Sequence, residues 1–82
     1  MSKSLRSPQQ QHLRELLIGL RKSKNMTQID IAQRLGRPQS FVAKYEGGER
    51  RLDVVEFMEV AQALEIDPRE VLDKLMGQRS RK

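Results

Sequence analysis

The chain is 82 residues long, carries a formal net charge of +5 and contains no cysteine. This length allows one domain with a small core, and the lack of thiols excludes a disulfide framework and a thiolate metal site. The N-terminal segment lacks the apolar stretch of a signal peptide, and the run from Leu16 to Leu20 is too short to span a bilayer. We therefore expect a cytoplasmic protein with no membrane contact and no cofactor.

The first predicted helix begins at a Ser7 cap, with Pro8 in its first position and Gln10 completing a capping box. Its apolar residues have the spacing of a buried helical face, and Asn25 is its predicted left-handed stop. That apolar face consists of Leu13, Leu16, Leu17 and Leu20.

The second and third predicted helices are short and close together. Thr27 and Asp30 form a capping box at the start of the second helix, and Gly36 is the glycine expected just past its end. Pro38 is predicted in the first position of the third helix, which stops before the glycine pair that begins at Gly47.

Two further capping boxes predict the fourth and fifth helices. Asp53 with Glu56 begins the fourth, Asp67 with Glu70 begins the fifth, and Gly77 is expected to end it. The apolar faces predicted for the core are Val54, Phe57, Val60, Ala61 and Leu64 in the fourth helix, and Val71, Leu72 and Leu75 in the fifth. The prediction is thus an all-α domain over residues 7–77, between a flexible arm (residues 1–6) and a basic disordered tail (residues 78–82).

Charge is divided unevenly along the chain. Residues 1–51 carry a net charge of +7, whereas residues 52–76 carry −5. The clustering is either an accident of a solvated surface or the mark of a polyanion-facing side, and the position of the basic half favours the polyanion-facing side.

Small and branched residues in the basic half predict a helix-turn-helix. Ala32 allows close approach of the second and third helices, Gly36 allows the left-handed turn between them, and Val42 faces the core. The other face of the third helix carries Gln39 and Ser40, with Lys44 about a turn later. Side chains of these types suit base edges and phosphates.

A combined pattern of residues runs through most of the chain. Its members are Arg21, Met26, Thr27, Gln28, Ile31, Ala32, Leu35, Gly36, Gln39, Ser40, Val42, Glu46, Ala61, Ala63 and Leu64. On these residues the sequence from about Leu13 to Leu72 resembles the lambda-repressor-like family of helix-turn-helix regulators (Cro/cI, or xenobiotic-response-element, type). The resemblance implies a five-helix bundle in which the second and third helices bind duplex DNA.

The resemblance also implies roles for single residues. Gln28 matches a glutamine that meets a DNA phosphate and braces the recognition helix; the alternative is an ordinary polar residue of the first turn. Gln39 and Ser40 match base-contacting positions, and a glutamine amide suits adenine N6 and N7. Arg21 and Glu46 match an ion pair that ties the first helix to the end of the third.

Basic residues around the third helix are expected phosphate contacts. Arg37 lies in the turn, and Arg50 and Arg51 lie in the loop that follows the helix, where either is alternatively an idle surface charge. For Lys44 the alternatives are a contact with guanine, a contact with a phosphate, and an ordinary exposed lysine.

Five positions depart from the family pattern. Ile18 replaces a frequent basic residue, which removes one possible phosphate contact. Pro38 replaces a serine or threonine cap. Phe41 replaces a small or hydroxylated residue, so its ring either touches a thymine methyl or sugar or folds onto the second helix. Ile29 and Val55 place apolar side chains on faces expected to be exposed, which is ordinary surface composition or part of a dimer contact.

Catalysis finds no support, because the single His12 has no second imidazole or thiol with which to form a triad or a metal site. RNA binding is disfavoured, since the few aromatic residues form no stacking platform. The predicted function is a sequence-specific transcriptional regulator, with repression favoured, that binds an approximately palindromic duplex operator as a homodimer. Helices 4 and 5 are the expected contact between the two copies. The alternative is an antitoxin or other module that binds a partner protein as well as DNA.

Overall fold

The computed structural model describes residues 7–80, with side chains for residues 7–77, and contains no strand in that range. Its five helices are α1 (Pro8–Ser23), α2 (Gln28–Leu35), α3 (Gln39–Glu46), α4 (Val54–Ala63) and α5 (Pro68–Ser80). The predicted all-α bundle of five helices is confirmed for this part of the chain. The predicted arm (residues 1–6) and residues 81–82 of the predicted tail lie outside the described residues.

Local capping explains where most helices begin. The Ser7 side chain accepts a hydrogen bond from the Gln10 N–H at 3.1 Å. Complete capping boxes form at Thr27 with Asp30 and at Asp53 with Glu56. These bonds satisfy backbone N–H groups that would otherwise lack partners in the first turn.

One predicted helix start and one predicted capping bond are wrong in detail. Pro38 is the residue before α3 and not its first residue, because its ψ of 155° is extended. At α5 the Asp67 carboxylate accepts from the Arg69 N–H at 2.9 Å, one residue before the expected partner Glu70.

The end of α5 also differs from the prediction, because the helix continues through Gly77 to Ser80. A glycine inside a helix costs about 1 kcal/mol relative to alanine but does not by itself stop the helix. Residues 78–80 of the predicted disordered tail are therefore helical.

The turn between α2 and α3 is set by Gly36, whose φ of 70° is left-handed. Its N–H donates to the Gln33 carbonyl, and the Arg37 N–H donates to the Ala32 carbonyl at 3.0 Å. This pair of bonds is a Schellman motif, which ends α2 and directs the chain into α3. Asn25 adopts the same left-handed conformation after α1, as predicted.

The core lies where α2 packs against α3 and α4, and α1 packs against α3 and α5. Ala32 and Val42 are buried in it, as the predicted helix crossing requires. Two predicted core residues are instead exposed, Val54 at 72% and Leu72 at 44%, since no described element covers them. The buried cluster is Leu17, Ile31, Ala32, Phe41, Val42, Tyr45, Phe57, Val60, Ala63, Leu64 and Val71.

Candidate nucleic-acid interface

The α3 helix presents two different faces. Phe41, Val42 and Tyr45 are buried, whereas Gln39 and Ser40 are exposed in the first turn. The buried face fixes the helix against the core, so the exposed polar side chains have a fixed place on the surface. Lys44 is also exposed, in the last turn of α3.

Glu46 is the last residue of α3 and is held by α1. Its carboxylate accepts hydrogen bonds from Arg21 Nε at 2.8 Å and from Arg21 Nη2 at 3.0 Å. Only 6% of the Glu46 side chain and 11% of the Arg21 side chain are exposed. Arg21 Nη1 also donates to the Met26 carbonyl at 2.8 Å, which links the pair to the segment before α2. The ion pair implied by the family resemblance is thus present and well buried.

Gln28 and Gln39 continue this network to the surface. Gln28 Nε2 donates to Glu46 Oε1 at 2.9 Å, and Gln39 Nε2 donates to Gln28 Oε1 at 3.2 Å. The direction of these bonds follows from Glu46, because an ionised carboxylate can only accept. Gln28 must turn its NH₂ group towards Glu46, so its carbonyl oxygen faces Gln39. The buried ion pair therefore orients the exposed amide of Gln39.

The sequence did not single out Arg14, which holds the same end of α3 from another side. Its Nη1 donates to the backbone carbonyl of Glu46 at 3.4 Å. A Cβ added at Gly48 would lie 3.0 Å from Arg14 Nη1, so the glycine makes room for the guanidinium. Arg14 and Arg21 are seven residues apart, which places them on one face of α1, and this spacing was the available signal.

A second charged cluster surrounds Glu56 at the start of α4. Arg50 donates to its two carboxylate oxygens at 2.9 and 2.8 Å, and Arg37 Nη1 lies 3.9 Å away. The guanidinium groups of Arg37 and Arg50 lie over the Phe41 ring, 4.4 and 4.7 Å from its centroid. Cation–π attraction and the shared carboxylate thus bring together two arginines from opposite ends of α3.

This cluster changes the interpretation of Phe41. Its side chain is only 8% exposed and packs in the core, with an edge-on contact to Tyr45 at 5.6 Å between ring centroids. The ring is thus buried and packs against Tyr45, while contact with a thymine methyl or sugar stays a prediction. Phe41 also supports Arg37 and Arg50.

The two loop arginines also differ from each other. Arg50 is tied to Glu56 and to the Arg51 carbonyl, and its contact with a phosphate stays a prediction. The Arg51 side chain is exposed and borders two surface depressions, one with Gln10 and Leu75 and one with Arg50 and Glu56.

These contacts shift the pKa values of the charged groups. Hydrogen bonds from Arg50 and then from the Asp53 N–H lower the pKa of Glu56 to about 2. The hydrogen bonds to Glu46 raise the pKa of Arg21, and those to Glu56 raise the pKa of Arg50. Glu56, Arg21 and Arg50 are therefore charged at neutral pH.

Two negative findings concern residues 7–80. No helix in this range is long and apolar enough to cross a membrane. The described side chains contain no group of three or more histidines and carboxylates placed to hold a metal ion.

Comparison with known proteins agrees with the geometry. A family model described as helix-turn-helix matches residues 17–71. No curated protein matches the chain at a significant level.

Three solved structures are similar to the chain. An XRE-family like protein from Pseudomonas syringae pv. tomato strain DC3000 is 44% identical, with a TM-score of 0.87. The alignment covers 95% of this chain and 95% of that protein's chain. The restriction-modification controller protein C.AhdI from Aeromonas hydrophila is 32% identical over 76% of this chain and 94% of its own, with a TM-score of 0.70. A mutant of the controller protein C.Esp1396I shares the fold at 21% identity, covering 88% of this chain and 91% of its own, with a TM-score of 0.79.

Proposed function

The chain belongs to the Cro/cI-type (XRE) family of helix-turn-helix DNA-binding transcription regulators, and we propose that it is a cytoplasmic, non-enzymatic repressor that occupies an approximately palindromic operator as a homodimer. Occupancy alone excludes polymerase from an overlapping promoter. Repression therefore requires no surface besides the contacts to DNA and to the second copy.

The observation that carries this proposal is the bonded series from Arg21 through Glu46 and Gln28 to Gln39. The bond from Gln39 to Gln28 uses one of its two amide N–H groups. The second N–H and the carbonyl oxygen remain for a base, which is the donor and acceptor pair that adenine N7 and N6 require. Gln28 likewise keeps one N–H for a phosphate.

Phosphate contacts are assigned to exposed cations in α3 and beside it. Lys44 and Arg51 are exposed, and neither side chain has a hydrogen-bond or ion-pair partner within the described residues. Arg37 and Arg50 retain unused N–H groups but share a carboxylate, so each offers less than a full positive charge. Ser40, exposed beside Gln39, is assigned a base or a nearby phosphate.

The homodimer follows from the size of the reading element. An eight-residue helix is only about 12 Å long and covers too few base pairs for a selective site. Two copies reach successive major grooves about 34 Å apart. Exposed apolar side chains on α4 and α5 support a contact between copies at those helices. They are Val54, Val55, Met58, Leu72 and Met76.

Selection of bound sequences from a random duplex pool tests the proposal. We expect an approximately palindromic site, with two chains per site in sedimentation of the complex. Affinity should fall about 10³- to 10⁵-fold between about 50 and 200 mM salt if a dimer contacts about 6–10 phosphates. No enrichment of any duplex, or a single chain that saturates the selected site, would contradict it.

A partner protein is the second candidate, since the apolar residues of α4 and α5 also suit a different chain. An antitoxin would bind its partner there while it occupies its own promoter. Co-purification of a neighbouring gene product in a fixed ratio, with no self-association of the purified chain, favours this alternative over the homodimer.

A further inference from the structure

Glu56 performs two tasks at the start of α4. Its carboxylate accepts from the Asp53 N–H at 3.0 Å, which is half of the capping box. The same carboxylate binds Arg50 through two hydrogen bonds and lies near Arg37. Because the capping bond fixes the carboxylate in the fold, both arginines gather around a stationary negative charge.

Arg37 and Arg50 are held near Glu56 but keep N–H donors that are free for other contacts. Arg50 uses three of the five N–H donors of a guanidinium, two on Glu56 and one on the Arg51 carbonyl. About a third of each arginine side chain is exposed, 36% for Arg50 and 37% for Arg37. The Phe41 ring beneath them limits their movement towards the core. The Arg50 guanidinium thus has an orientation fixed by hydrogen bonds, whereas Arg37 lies near Glu56 at 3.9 Å without a hydrogen bond to it. Both guanidinium groups have a reduced charge.

We propose that Glu56 is a specificity-determining positioning residue, which holds Arg50 in place beside α3 and weakens the attraction of Arg50 and of the neighbouring Arg37 for phosphates. The proposal rests on the proposed function, because it concerns the ratio between binding to an operator and binding to any duplex.

Specific and non-specific complexes depend differently on this charge. Non-specific binding comes from phosphate contacts in any register, so it weakens with each positive charge that is neutralised. On an operator the base contacts fix the register, and arginines that are already oriented lose less side-chain entropy on binding. Glu56 therefore costs affinity mainly on random DNA.

Glu56→Gln tests this inference with little expected change in the fold. Glutamine is an accepted partner in a capping box, so the bond to the Asp53 N–H is kept while the charge is removed. Glu59→Gln is the matched control, since Glu59 lies 3.7 Å from Arg37, is half-exposed and forms no helix cap. Both variants change the net charge equally.

The measurement is a binding titration on the selected operator and on a random duplex at two salt concentrations. For Glu56→Gln we expect affinity for the random duplex to rise about fivefold, which is what an exposed ion pair is worth. Its salt slope should steepen by about one per protomer, while operator affinity stays within about twofold. Glu59→Gln should change both affinities less than about twofold, because Glu59 pairs with Arg37 alone among the described residues, at 3.7 Å, and is itself half-exposed.

Glu56→Asp keeps the charge and should retain weak binding to random duplex, which guards against a fold defect as the cause. Equal effects of Glu56→Gln and Glu59→Gln, or a gain in Glu56→Asp as large as in Glu56→Gln, would overturn the inference. If no operator is selected but Glu56→Gln still gains on random duplex, the proposed function fails and the charge effect of Glu56 stands. If an operator is selected without that gain, the reverse holds, and binding to no duplex rejects both.

Discussion

Two carboxylates, Glu46 and Glu56, organise the charged surface in different ways. Glu46 is almost fully buried and binds Arg21, which is nearly as buried. Glu56 is itself 13% exposed but binds two arginines that are more than a third exposed. The first group is cut off from solvent, whereas the second opens onto it.

The difference in burial gives the two carboxylates different roles. Glu46 fixes the position of α3, whereas Glu56 affects how strongly the nearby arginines attract phosphates. Removing one member of a buried pair leaves an unpaired charge in a poorly solvated place, so the Glu46 network resists displacement and fixes α3. Exposed ion pairs contribute little to folding, so the main effect expected of the Glu56 cluster is on the positive charge presented beside α3. The two groups meet at α3, since Gln39 ends one network and Phe41 supports the other.

The largest effect is expected from Glu46→Ala. It leaves the buried Arg21 guanidinium without its carboxylate, which should lower the free energy of unfolding by about 3–5 kcal/mol. Urea denaturation followed by circular dichroism measures the loss. Glu59→Ala, which removes an exposed carboxylate, should change it by less than about 0.5 kcal/mol. Similar losses in the two variants would remove the distinction between the buried and the exposed carboxylate.

Phe41→Leu should separate packing from the support of arginines. The smaller side chain should cost about 1 kcal/mol of stability, and DNA of every sequence should bind more weakly because Arg37 and Arg50 lose their aromatic platform. Phe57→Leu makes the same change at a core ring that carries no arginine. Comparable stability in the two variants with weaker DNA binding only in Phe41→Leu is the expected result. Equal DNA affinities would mean that the ring does not support the arginines.

The pH dependence of stability should show the smallest effect. The pKa of Glu56 is lowered in the fold to about 2, from an ordinary value near 4.5. A lowered pKa means that the carboxylate stabilises the fold above its ordinary value, and that this contribution is lost as the pH falls towards about 2. For a pair near the surface the loss is within about 1 kcal/mol.

Glu56→Gln should therefore lose less stability than the wild type between about pH 5 and pH 2. Thermal unfolding at a series of pH values measures the difference. Parallel curves for the two proteins would show that the ion pairs of Glu56 do not contribute to folding.

Local chemistry made the helices predictable from the sequence. The Thr27 and Asp53 capping boxes and the left-handed Gly36 each depend on residues within four positions, so their geometry follows from residue type and spacing. Errors arose where the environment decides. Val54 has the period of a core residue but no neighbour to cover it, and Gly77 lies in a helix that simply continues.

The charged networks were less predictable, because their members are distant in sequence. Gln28 and Glu46 are separated by 18 positions, and the bond between them depends on how α2 and α3 cross. Family resemblance supplied the pair of Arg21 and Glu46, but nothing local indicated that Glu56 would gather two arginines. In the sequence, helix capping alone explained Glu56, so its contacts with Arg37 and Arg50 were not predicted.

The most direct test of the placement of α3 is a comparison of DNA affinity between Gln39→Ala and Arg51→Ala. Each variant is titrated with the selected operator, with each single-base variant of it and with a scrambled duplex, at two salt concentrations. Gln39→Ala should cost about 1–3 kcal/mol on the operator and relax preference at one base pair per half-site, with little change on scrambled DNA. Arg51→Ala should weaken binding to all sequences alike and lower the salt slope by about one for each phosphate that Arg51 neutralises. A uniform loss of affinity in Gln39→Ala, together with an altered base preference in Arg51→Ala, would contradict the proposed orientation of α3 on DNA.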